Sequence, residues 1–223
     1  STLLASSAAS DVYKRQMGHI LNKPEVKNGA VVKGHALIQP KVGINIEASR
    51  KSLFTQIFAG SGGTDLYTNA ISDVYQDNFD EGIFTGKGIY NLKVFSEVLE
   101  NQIPENTVLS HDLLEGSYLR CGLATDIMLM DGYPYKYNSF ISRLHRWIRG
   151  DWQITGWLLN DIKDKNGKLH KNPLNFLSKF KILDNLRRSL LEISCVISLL
   201  LAIVIKLKFN VRICAPVMVV LIA

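Results

Sequence analysis

Residues 142–153 read Ser-Arg-Leu-His-Arg-Trp-Ile-Arg-Gly-Asp-Trp-Gln, with three arginines and two tryptophans in one short segment. Three guanidiniums this close repel one another, and two indoles facing water expose much apolar surface. A partner that is anionic in one part and flat in another resolves both. On a helix, Arg143, Arg146 and Trp147 stand at i, i+3 and i+4 and share one face. Guanidinium groups offer planar, paired donors to phosphate oxygens. An indole face suits the apolar face of a sugar ring. A solvated basic face beside a core tryptophan is the plainer alternative. Gly150 interrupts the same helix. It costs about 1 kcal/mol relative to alanine, which suits a close approach to the backbone.

A second candidate is Leu109-Ser-His-Asp-Leu-Leu-Glu-Gly116. Asp112 falls just after an expected strand, in the first turn of an expected helix. The positive end of that helix favours its ionised form, so it can accept a proton at neutral pH. From the residues alone, a carboxylate that only complements the helix dipole is the plainer reading, and Glu115 and Asp126 are left with that reading. His111 could hydrogen-bond a substrate or simply be exposed or packed. The third candidate is Thr85-Gly-Lys-Gly88, whose Gly86, Lys87 and Gly88 could equally form a surface turn.

These groups need a scaffold. Val31–Val32, His35–Ile38 and Val42–Ile46 read as short strands broken by Gly34, Pro40 and Gly43. Residues 61–64 read as a flexible turn, and Asp65–Gln76 has loose helical spacing. Asn91–Glu100 predicts a short helix that stops before Pro104. Thr107–Ser110 reads as a strand. His111–Cys121 reads as a helix capped by Ser110 and stopped at Gly122. Ala124–Met130 predicts the next strand, and a long helix is expected over Ser139–Leu159. The alternation argues for an α/β layer architecture.

The 223 residues suffice for one medium domain, and 47% hydrophobic against 21% charged residues excludes a disordered chain. A formal charge of +6 and a pI near 9.2 suit an anionic partner: nucleotide phosphates, nucleic acid or a lipid headgroup surface. Cys121, Cys195 and Cys214 have no metal-binding or redox spacing. Residues 1–16 lack useful periodicity and are read as a non-native leader. Residues 161–168 read as a polar linker. After Pro173, Leu174, Leu177, Ile182, Leu186 and Leu190 recur near helical spacing with Lys and Arg between them, so 164–188 reads as linker followed by a membrane-interface amphipathic helix. The apolar run 189–205 is read as a short membrane span, with a second, truncated span following to residue 223. The flanking charges set the preceding domain, 17–163, on the cytoplasmic side.

An acidic strand-to-helix corner, followed by Arg-x-x-Arg-Trp, a basic amphipathic helix and an apolar run, resembles the C-terminal half of a processive, inverting family-2-type glycosyltransferase with a GT-A fold. Arg143-Leu-His-Arg146-Trp147 is similar to the (Q/R)xxRW motif of those enzymes, and Asp112 to the aspartate of their Thr-Glu-Asp motif. The strings Ser72–Asp77, Phe84–Tyr90, Leu109–Gly116, Arg146–Gln153 and Asp184–Ser189 most resemble the glycosyltransferase domain of cyclic β-1,2-glucan synthases, over about residues 30–205.

The resemblance implies a membrane-bound hexosyltransferase of the bacterial inner membrane that polymerises glucose from UDP-glucose onto a growing glucan. Asp112 is the implied base, and Arg143 and Arg146 the diphosphate ligands. Trp147, Gly86, Lys87, Gly88 and His111 stand on the acceptor side. Mg²⁺ or Mn²⁺ is implied, with ligands upstream: no Asp-x-Asp occurs in this chain. Membrane lipid is an expected partner and nucleic acid is not. The corner reads Ser-His-Asp rather than Thr-Glu-Asp, which leaves the part played by His111 open. This chain alone is expected to be inactive. A polysaccharide synthase of another linkage or sugar, or a non-enzymatic membrane-anchored module, are the rival readings.

Overall fold

The computed structural model describes residues 14–59, 74–100 and 102–209. The expected turn at 61–64, most of the helix expected over Asp65–Gln76 and the second span lie outside them. The chain divides into two compact units, Ser1–Ile182 and Leu183–Ala223.

The first unit is mixed α/β. Strands β1 (Glu25–Lys27) and β2 (Ala30–Lys33) form a hairpin. Strand β3 (Leu37–Ile44) follows, then helices α1 (Ile46–Ser49), α2 (Leu53–Phe58) and α3 (Val74–Phe79). Strand β4 (Ile89–Tyr90) leads into α4 (Leu92–Leu99), which Asn91 caps by accepting from the Val94 amide. Helix α5 (Asp112–Leu119) feeds β5 (Cys121–Asp131) and then α6 (Tyr137–Gln153), continued by a 3₁₀ turn at Ile154–Leu158.

The central sheet has the order β4-β3-β5, with β3 parallel to β5 and antiparallel to β4. The strand expected to break at Pro40 and Gly43 runs straight through both. Pro40 has no amide hydrogen to give the ladder, and it sits where the β3–β5 register shifts, between Pro40 and Lys41. Strand β3 is buried along most of its length, as suits a middle strand covered on both faces.

The main core joins Leu37 of β3, Leu114, Tyr118 and Leu119 of α5, Phe84, Ile154, Trp157 and Ile182. The Trp157 indole donates to the buried Tyr118 hydroxyl at 3.1 Å, so its one polar atom is satisfied. Both Trp152 and Trp157 read from the sequence as packing residues; Trp157 is one, while Trp152 is 47% exposed.

Several expectations are corrected here. Thr107–Ser110 is loop, not strand. Helix α5 has His111 rather than Ser110 as its N-cap, and no side chain caps it. It ends on Arg120 in the left-handed region, φ 53°, two residues before Gly122. The polar linker is the hairpin β6 (Asp161–Lys163) and β7 (Leu169–Lys171). Its turn is held by Asp164, whose Oδ1 accepts from the amides of Asn166 and Lys168 at 2.8 Å each. Gln16, placed in the leader, donates to the Asp126 carboxylate at 3.0 Å.

The last helix, α7, spans Phe176–Phe209. Leu174 and Ile182 belong to the core and Leu177 packs against it, so this part of the stripe read as membrane-facing covers the domain's own interior. Lys181, read as one of the basic side chains between, is buried against Glu81. Among the described residues no helix is long and apolar enough to cross a membrane. The span expected over 189–205 is thus unsupported. The run is shorter than the about twenty residues a bilayer requires, and Glu192 lies inside it. In the second unit, Leu190, Leu191, Ile193 and Val196 are exposed.

Candidate active site

The first turn of α5 and the middle of α6 meet at an open pocket of about 190 Å³ lined by Leu109, Ser110, His111, Asp112, Arg146 and Trp147. Two contacts bring them together. The Leu109 amide donates to Gln153 Oε1 at 2.8 Å, which ties the loop to the end of α6. Gly150 lets the helix lie directly on the corner, for a Cβ there would stand 2.7 Å from that of Ser110.

The loop Thr85–Gly88 seats the corner from another side. Buried Gln39 of β3 accepts from the Thr85 amide at 2.6 Å and donates to the Ile83 carbonyl at 3.1 Å, which fixes where the loop starts. Gly86 takes φ +103°, and a Cβ on it would stand 2.9 Å from Asp112 Oδ2. Only glycine reaches this conformation without strain and leaves room for the carboxylate. Gly88 serves packing: its Cβ would meet the Ile38 carbonyl oxygen at 2.6 Å. Lys87 pairs with Asp131 at the end of β5. Burial works to raise the pKa of Asp131. Hydrogen bonds from Lys87 and the Gly132 amide, with the Lys87 and Arg143 charges, outweigh it and hold it below the usual range.

Of the residues singled out in the sequence, Asp112, His111, Arg146 and Trp147 share the pocket, and Gly86 backs it. Arg143, Lys87 and Gly88 are not among its lining residues. The Arg143 guanidinium instead stacks over Trp147, 4.7 Å from the ring centroid.

Asp112 departs from expectation electrostatically. The helix terminus was expected to favour its charged form. Burial pushes its pKa up instead, the nearby Glu115 carboxylate adds to this, and the His111 charge opposes it. The outcome is a stronger base than an ordinary aspartate. Glu115, set aside in the sequence as a residue of no special part, is central here. It is buried, lies 2.8 Å from His111 Nδ1, and accepts from the Tyr90 hydroxyl at 2.7 Å. The hydrogen bond to Glu115 raises the pKa of His111 against the opposing effect of burial. Burial, then Glu115, raises that of Tyr90. An i, i+4 His/Glu pair was the available sequence signal for Glu115. Nothing local pointed to Tyr90.

His111, Asp112 and Glu115 bring potential ligand atoms within 4.8 Å of one another, as no other cluster does among the described residues. The set does not fit Mg²⁺ or Mn²⁺. Both Glu115 oxygens are already engaged, and a hard cation prefers oxygen ligands to imidazole. The chemistry available is therefore proton acceptance at Asp112 beside a cationic, aromatic wall of Arg146 and Trp147.

No family profile matches the chain. It is 45% identical over 179 residues to the cyclic β-(1,2)-glucan synthase NdvB of Rhizobium meliloti (strain 1021), a match that covers 79% of this chain. The same match covers 6% of that much longer protein. By sequence this chain is a fragment related to cyclic β-(1,2)-glucan synthase.

Proposed function

We propose that the complete protein is a membrane-associated, inverting glucosyltransferase that polymerises glucose from UDP-glucose into cyclic β-1,2-glucan, with its catalytic domain on the cytoplasmic side. The chain described here would supply the acceptor and leaving-group side of the site. The observation that carries the reading is the meeting of Asp112, Arg146 and Trp147 at one pocket, in a chain related to a glucan synthase.

Asp112 accepts the proton of the acceptor hydroxyl as its oxygen attacks the anomeric carbon. The bond from that carbon to the UDP oxygen breaks on the opposite face, which inverts the configuration. Negative charge grows on the departing diphosphate, and Arg146 stabilises it. Trp147 supports the acceptor glucosyl ring, and Arg143 holds the indole in place while adding positive charge. Any Mg²⁺ or Mn²⁺ that neutralises the diphosphate is assigned to residues outside this chain.

The test is incubation of the complete gene product, in membranes, with radiolabelled UDP-glucose, followed by linkage analysis. A β-1,2-linked glucan is the expected product. Another linkage would keep the chemistry and discard the product. Failure to incorporate sugar from any nucleotide donor would overturn the enzyme reading.

A further inference from the structure

The proposed reaction uses Asp112, yet the most fully partnered polar group at this corner is Glu115. A buried carboxylate is costly unless hydrogen bonds compensate it. Here one oxygen faces His111 Nδ1 at 2.8 Å, and the other accepts from Tyr90 at 2.7 Å. Tyr90 is itself packed edge-on against Phe84 and Phe95, with centroids 5.8 and 5.3 Å away, which restrains its hydroxyl. Nδ1 of His111 is thereby committed, and Nε2 is the ring nitrogen left to serve a ligand in the pocket that His111 lines. His111 and Asp112 are consecutive, with polar atoms within 4.8 Å of each other.

We propose that Glu115 and Tyr90 are positioning residues that hold His111 as an imidazolium, Nδ1–H donating to Glu115 and Nε2–H left to donate into the pocket, so that His111 and Asp112 grasp two neighbouring hydroxyls of one acceptor sugar. Asp112 accepts from the hydroxyl that attacks, and His111 donates to the oxygen beside it. A vicinal diol presents adjacent hydroxyls, one to accept from His111 and one to donate to Asp112, the residue next to it in the chain. The proposal rests on the glucosyltransferase reading.

The groups that face or neighbour His111 are Glu115 and Asp112 of α5, Tyr90 of β4 and Arg146 of α6. The first two favour its protonated, donating form, in keeping with the direction of its pKa. Burial of the ring opposes them.

Two measurements test this. In the 223-residue chain, histidine NMR follows the titration of His111, assigned with His111→Asn. Glu115→Gln is expected to lower the His111 midpoint, and Tyr90→Phe to move it less. In the complete synthase, Glu115→Gln should raise the acceptor KM about tenfold while kcat falls by less than about threefold. An acceptor lacking the hydroxyl beside the attacking one should bind the wild type poorly and incur no further loss in His111→Asn. An unmoved His111 midpoint, an unmoved acceptor KM in an active Glu115→Gln enzyme, or equal loss with the deoxy acceptor in both enzymes would overturn the proposal alone. A wild-type enzyme inert with every nucleotide sugar would overturn the glucosyltransferase reading, and the diol assignment with it.

Discussion

Gly150 of α6 lies directly on Ser110: a Cβ added at Gly150 would stand 2.7 Å from the serine Cβ and 3.1 Å from its amide nitrogen. This contact sets the distance between the helix that carries Arg146 and the turn that carries Asp112. Neither neighbour is a flexible side-chain end, so the backbone itself must give way to anything larger than hydrogen.

Gly150→Ala should therefore destabilise the fold by about 1–3 kcal/mol, despite a gain of about 1 kcal/mol in helix propensity. Transfer activity should fall further than stability, because α6 moves away from Asp112. Urea denaturation of the chain and kinetics of the complete enzyme measure the two effects. A more stable Gly150→Ala protein would show that the close packing is not needed.

Lys181 and Glu81 form a pair in which both side chains are almost wholly buried, at 2.7 Å. The ammonium also donates to the Glu81 and Gly82 carbonyls at 3.2 and 3.0 Å, so its three donors are used. Lys181→Ala leaves a buried carboxylate and two carbonyls short of a partner, with Arg120 still 3.6 Å from Glu81. It should cost about 3–5 kcal/mol by urea denaturation. Lys181→Met combined with Glu81→Leu should recover most of that loss. Failure of the double variant to recover would point to the carbonyl contacts, rather than the charge pair, as the main stabilising element.

Arg143 and Arg146 are separable by geometry. Arg146 lines the pocket, while Arg143 stacks on Trp147. Arg146→Ala should weaken UDP inhibition about tenfold or more, as loss of a charge-assisted contact would. Arg143→Ala should weaken it less, and should raise the acceptor KM by releasing the indole. Equal effects of both variants on UDP would place both guanidiniums on the diphosphate.

The parts legible in the sequence are those whose partners lie within a helical turn. Arg143, Arg146 and Trp147 share a face by periodicity alone, and the helix start at Asp112 was legible although the strand expected before it is loop. Glu115 was not legible because its second partner, Tyr90, lies 25 residues away on another element. Pro40 hid a continuous strand because a bulge that excuses a missing amide hydrogen leaves no composition signal. The stripe Leu174, Leu177 and Ile182 was ambiguous in principle: a bilayer and a protein core select the same apolar spacing, and here the core takes it. The 161–171 hairpin was missed because its strands are short and polar, although its turn carries Asn166-Gly167, with Gly167 at φ 78°, beside the Asp164 side chain that accepts from the Asn166 amide.

Asp112 sets activity against stability. Burial and the Glu115 charge raise its pKa above that of the unfolded chain. A carboxyl group shifted upwards contributes stability below its unfolded pKa, and that contribution is lost as pH rises through the folded value. At neutral pH the ionised form therefore burdens the folded state. Asp112→Asn keeps the shape and removes the charge. The variant should melt at a higher temperature than the wild type at pH 7, and the difference should shrink as pH is lowered towards the ordinary carboxylate range. In the complete enzyme it should abolish glucosyl transfer and spare UDP binding, because Arg146 is untouched. Retained transfer would remove Asp112 from the role of base. A lower melting temperature at pH 7 would show that the carboxylate is needed for structure, with His111 or the helix terminus stabilising the charged form more than burial opposes it.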